Sequence, residues 1–129
     1  MHTDIVEDKL KYKELTGEII KAAFEVQNNL GCGFLERVYE NALFQELKNC
    51  GLKAEKQKNL KVNYKGVEVG TYICDLLVED KIIVEVKIAD QILGIYQAQL
   101  MNYLKISGYR VGLILNFSKP RLEYKRIIV

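Results

Sequence analysis

The chain is poor in the residues on which much enzyme chemistry rests: its 129 residues include one histidine, one proline and no tryptophan, and its only serines are Ser107 and Ser118. The lone histidine is His2, so histidine-relayed nucleophilic catalysis and a histidine-built zinc centre are nearly excluded by inventory. Cys32, Cys50 and Cys74 are odd in number, widely spaced and form no C-x-x-C pair. They read as reduced structural thiols, not as a disulfide framework or zinc knuckle. No run approaches the roughly 18 apolar residues that span a bilayer, and the opening MHTDIVEDKLKYKE is charged where a secretory signal is apolar. A cytoplasmic location is therefore expected. With Pro120 alone and neither a low-complexity tract nor an internal repeat, residues 1–129 read as a single domain.

What is present is an ordinary globular composition, 49% hydrophobic and 28% charged, enough to bury one core. The net charge of +2 is too small to argue for nucleic-acid binding by itself, but it is unevenly spread. Between residues 48 and 65 six lysines (Lys48, Lys53, Lys56, Lys58, Lys61 and Lys65) stand against one acid, Glu55, and the tail from Lys119 to Arg126 is basic again. Such segments can form a phosphate-contacting rim; they can equally mark a solvated face or protect an edge strand.

Leu15, Ile19, Ala22, Ala23, Val26 and Leu30 recur at helical spacing before Gly31, which predicts a helix over 14–30 behind a loose lead-in of about a dozen residues. Leu35, Val38, Ala42, Leu43 and Leu47 predict a second helix ending near Cys50 and Gly51. From Glu55 the period becomes two: Leu60, Val62 and Tyr64 alternate with polar residues, Gly66 marks a turn, and Val67 and Val69 follow. Segments 71–78 and 82–88 are β-branched and apolar around Glu79-Asp80-Lys81, a hairpin. A third helix is expected over 92–106, capped by Gly108, then a buried strand over 111–117 and a short edge strand over 124–129. This order gives an α/β layered domain.

The hairpin sets charges inside apolar strands, and buried charge demands compensation. Period-two alternation puts Glu85 and Lys87 on one face, together with Ile73, Leu77 and Ile83. A loop centred on Asp80 sets Asp75 opposite Glu85 and Ile73 opposite Lys87. Facing carboxylates repel unless one takes a proton or a cation lies between them. Oxygen ligands favour a hard ion, magnesium or manganese, with positions left for water and phosphate, while Lys87 offsets charge on an attacked phosphate. The alternative is an exposed sheet face on which Glu85 and Lys87 form a surface salt bridge.

At these positions the sequence resembles the PD-(D/E)xK nuclease superfamily, in which an acid on one strand precedes an E-x-K triplet on the next. G33-F-L-E36-R-V-Y39 resembles the signature of its GxxExxY family, with similarity running from about Leu15 to Phe117. The resemblance implies a restriction-endonuclease-like core, a mixed β-sheet flanked by α-helices. It also implies a Mg2+ (or Mn2+) dependent nuclease acting on nucleic acid, DNA before RNA. It assigns Asp75, Glu85 and Glu36 to the metal, Lys87 to the water and phosphate, and Gln99, within A98-Q99-L-M-N-Y103-L, to their orientation. Read without it, Glu36 is an acid favoured by a helix N-terminus and Gln99 an ordinary polar position. Tyr39 and Tyr103 match family positions and read as packing groups with a hydroxyl handle. Two departures stand out: Ile95-Tyr96 where relatives commonly carry a histidine, and Cys74 in place of the proline that names the first motif. The competing functions are a nucleic-acid or protein binding module with a weak metal site, and hydrolysis of a small phosphoester. Cutting both strands of a duplex with so small a domain would call for a twofold homodimer.

Overall fold

The computed structural model describes residues 2–129, with side chains from Tyr12 onward. The elements are α1 (His2–Leu30), α2 (Glu36–Asn49), β1 (Ala54–Tyr64), β2 (Val67–Val78), β3 (Ile82–Lys87), α3 (Gly94–Ser107), β4 (Val111–Asn116) and β5 (Glu123–Ile128). The expected lead-in before residue 14 is instead helical backbone continuous with α1. With no proline or glycine before Gly17, nothing in that stretch stops a helix already nucleated downstream from propagating backward. Among the described residues no helix is long and apolar enough to cross a membrane.

The strands lie in the order β1-β2-β3-β4-β5. Neighbours are antiparallel except β3 and β4, which run parallel, from Ile82 beside Val111 to Lys87 beside Asn116. A parallel pair needs a crossover, and α3 supplies it. The sheet is therefore mixed, and it is buried on both faces. Leu76, Val78, Val84, Val86, Leu113 and Leu115 pack under α1 and α2 through Ile19, Val26, Tyr39 and Leu43. Leu77, Ile83 and Ile114 pack under α3 through Leu100, Tyr103 and Leu104. This is the restriction-endonuclease-like arrangement: an α/β core with helices on both sides of a mixed sheet.

Two close fits set the helices over the sheet. A Cβ added to Gly112 on β4 would lie 2.7 Å from Leu100 Cδ2, so glycine there lets α3 approach the strand. At the α1–α2 corner Gly33 has φ +105°, a conformation L side chains rarely adopt. The buried Tyr39 hydroxyl donates to Gly31 O at 2.5 Å, and its ring stacks on Phe117 at 4.8 Å. The corner thus fixes where α2 begins above the sheet.

The β2–β3 turn has positive φ at both Glu79 and Asp80, and Lys81 N–H donates to Val78 O at 3.0 Å, a tight turn inside a three-residue connection ahead of the Val78–Ile82 rung. Its ladder holds only three rungs, Val78–Ile82, Leu77–Ile83 and Leu76–Val84. At the next position Asp75 and Glu85 face each other without a backbone rung. The expected Ile73–Lys87 rung is not formed, because the strands part beyond Leu76.

Candidate active site

The parting of β2 from β3 coincides with a fault in the β1–β2 ladder. Lys56 pairs with Leu76 and Lys58 with Cys74, but Gln57 and Asp75 between them are unpaired, and Gln57 has φ +53°. Alternation breaks at the same rung. Cys74 packs on the α3 side and Leu76, two residues on, on the α1–α2 side. Ile73, adjacent to Cys74, consequently faces away from Leu77 and Ile83 and is about half exposed, not part of the Glu85 face as the alternation had predicted. A strand twisted out of register by one face leaves backbone groups without ladder partners.

The two carboxylates take over those backbone groups. Asp75 N–H donates to Glu85 Oε2 at 2.7 Å, and Val86 N–H donates to Asp75 Oδ2 at 2.8 Å. Each acid grips the other's strand, which brings the two together as the hairpin register predicted. Glu85 is only 5% exposed. Burial, and then the neighbouring Asp75 charge, push its carboxyl up to about 8, against the pull of the Asp75 N–H bond and Lys87. Burial also raises Asp75, opposed by the Val86 N–H bond and by Lys87. Lys87 is half-buried, its Nζ lying 5.0 Å from the centre of the Tyr96 ring. The salt-bridged, solvated face is thereby excluded for Glu85.

Glu36 is exposed in the first turn of α2, and its charge reaches Asp75. Gln99 is exposed on α3, next to the stripe of Leu100, Tyr103 and Leu104 that packs on the sheet. Sequence reasoning passed over Glu40, one turn beyond Glu36. Glu40 is buried, accepts a hydrogen bond from Gln57 Nε2 at 2.5 Å, and lies 3.7 Å from Arg37 Nε. Burial raises its carboxyl, Gln57 opposes, and Asp75 adds to the rise. Asn116, fully buried, was also missed. Its amide donates to Ala89 O at 2.8 Å and to Glu123 Oε1 at 3.0 Å and accepts from Ala89 N–H at 3.2 Å, pinning the chain where it leaves Lys87.

The family model of the PD-(D/E)XK nuclease superfamily matches residues 13–127. The chain belongs to the PD-(D/E)XK nuclease superfamily. A solved structure described as "Crystal structure of SSO0001" is similar to this PD-(D/E)XK domain in fold, with a TM-score of 0.55 at 19% identity over 94% of the chain. The match covers 61% of that protein's chain. No curated protein matches. Superfamily membership points to nuclease activity on a nucleic-acid substrate, typically with a divalent metal.

The residues present fit such an ion. Asp75 and Glu85 offer oxygen donors only, each has one oxygen outside the reciprocal grip, and burial raises both carboxyls. Hard divalent cations suit such donors. Among the described residues no three acidic, thiol or imidazole side chains are grouped closely enough to enclose an ion. The donor set is therefore open.

Proposed function

We propose that this domain is a magnesium- or manganese-dependent nuclease of the GxxExxY family, hydrolysing phosphodiester bonds of DNA in the cytoplasm as a single domain. The observation that carries the reading is the reciprocal grip of Asp75 and Glu85 at the point where β2 leaves β3. Two desolvated carboxylates held face to face are costly without a cation or a proton. Family membership supplies the substrate class, and Gly33, Glu36 and Tyr39 at the α1–α2 corner support the narrower family.

Asp75 and Glu85 would hold the metal, with Glu36 at the α2 end contributing from the water-accessible side. When bound, a divalent cation supplies charge that polarises the phosphoryl group and acidifies water. Lys87, on the face of Glu85, places an ammonium against the phosphate, countering charge that builds as a water oxygen bonds to phosphorus and the P–O ester bond breaks. Gln99 on α3 carries two N–H donors and a carbonyl acceptor, able to orient water and phosphate together. Glu40 is proposed as a positioning residue: held by Gln57, it keeps a negative field on the α2 side of the pocket.

The test is a cleavage panel of single-stranded, duplex and branched DNA and RNA with and without magnesium or manganese. Metal-dependent cleavage is expected, and Asp75→Asn and Lys87→Ala should each abolish it while circular dichroism stays unchanged. Undiminished cleavage by both variants rejects the assignment. The open donor set favours one rival, a binding module with a weak metal site. An unchanged melting temperature at millimolar metal would support that rival.

A further inference from the structure

The β1–β2 ribbon continues past the core. From Lys61 to Ile73 no residue is buried, yet one face of this stretch is apolar. Alternation from buried Leu60 runs through Val62 to Tyr64, and from buried Cys74 back to Tyr72. Leu60 pairs with Tyr72 and Tyr64 with Val67. Tyr64 is 61% exposed, Val67 63% and Tyr72 48%.

This face looks to the α3 side of the sheet. Tyr72 meets Tyr103 there, ring centres 5.4 Å apart, and Tyr103 feels the charges of Glu85 and Asp75. Further along α3, Tyr96 lies beside Lys87. The three accessible rings, Tyr64, Tyr72 and Tyr96, thus mark a route from the ribbon tip to the acid–lysine cluster. The tip lies roughly 13 Å beyond the Tyr72 rung at the rise of a β-strand. Cations accompany the route at both ends: Lys65 Nζ is 5.4 Å from the Tyr64 ring centre, and Lys87 sits over Tyr96.

We propose that the tyrosine-bearing face of the ribbon, from Tyr64 through Tyr72 to Tyr96, is the path of an unpaired nucleic-acid strand, its bases stacking on the rings and its phosphates lying beside Lys65 and Lys87. The proposal rests on the nuclease reading and narrows its substrate to single-stranded nucleic acid or single-stranded segments of a branched one. Aromatic faces interleaved with cations are the chemistry that holds unpaired bases without regard to sequence. A duplex hides those base faces in its own stack. A second copy of the chain is disfavoured because twofold pairing of the ribbon tips would bring the Lys65 ammonium groups of both copies together. The face is also continuous with the acid–lysine cluster, so a strand bound on it is already led to the reacting groups.

Binding is measured on the full chain in chelator, where nothing is cut, by anisotropy of a labelled oligo-dT and of a labelled duplex hairpin of equal charge. Because the chain has no tryptophan, quenching of tyrosine emission gives a second readout. Tyr64→Ala and Tyr72→Ala should each weaken oligo-dT binding roughly five- to hundredfold, the range of one lost base stack, while Tyr64→Phe and Tyr72→Phe keep it. Tyr124→Ala, at an exposed tyrosine on β5, should leave it unchanged. If the duplex is bound and both alanine variants bind oligo-dT like the parent, the proposal is overturned and the nuclease reading stands. If the parent binds neither oligonucleotide at low salt, both fall together. If sedimentation shows a dimer that Tyr64→Ala dissociates, the face belongs to a second copy and the proposal is likewise overturned.

Discussion

Glu85 owes its raised carboxyl first to burial and then to Asp75, and this has a measurable sign. Its carboxyl sits at about 8 in the folded protein against 4.5 ordinarily, so between those values the folded state holds a proton the unfolded chain has released. Stability must then fall as pH rises through that window. The metal-free protein is expected to melt lower at pH 8 than at pH 5, and Glu85→Gln should flatten the difference; a metal-free melting temperature that rises with pH would contradict the site. Glu40 allows a sharper comparison. Glu36→Gln should weaken metal-induced stabilisation more than Glu40→Gln, because Glu36 is proposed to lend the ion an oxygen while Glu40 is held by Gln57 and acts only through its charge. Titrating each with manganese and following the melting temperature tests this, and the reverse ranking would move the α2 role to Glu40. Asp75, Glu85 and Lys87 were legible in the sequence because charge inside apolar strands is conspicuous. Glu40 was not, since its partner Gln57 reaches it from a backbone at φ +53°, a conformation for which glutamine gives no local signal.

Among the elements, the strands, helices α2 and α3 and the turn at Glu79–Asp80 followed from hydrophobic period and from glycine, and their observed bounds lie within a few residues of those expected. The antiparallel register of the hairpin was also readable, because loop length fixes it. What could not be read was the rung at Gln57 and Asp75 where both strands change face. Twist of that kind answers to the packing on each side, α2 against Leu76 and α3 against Cys74, and not to any pattern along the chain. The closeness of α3 to β4 is of the same origin. Gly112→Val would drive a branched side chain into Leu100 and is expected to cost about 1–3 kcal/mol in urea unfolding, the usual cost of overpacking. Because α3 carries Tyr96 and Gln99, oligo-dT binding should weaken too; unchanged stability and binding would show that the helix has slack.

For the whole molecule the governing facts are uneven charge and an overhanging ribbon. Lysine-rich β1 forms one edge of the sheet, which both deters edge pairing and lends the ribbon its attraction for phosphate. The affinity for oligo-dT should fall steeply with salt, and Lys65→Gln should lower the slope of log K against log salt by about 1; an unaltered slope would remove Lys65 from the contact. A twofold dimer is required only if both strands of a duplex are cut, since an unpaired strand needs one active site. The ribbon is fastened to itself by ten rungs and to the rest of the sheet by three, with the Asp75 and Glu85 grips just beyond the last of them. It is a long lever on a short fulcrum. Any event that draws on those carboxylates acts where the ribbon joins the sheet, so that the chemistry and the ribbon's attachment share the same two side chains.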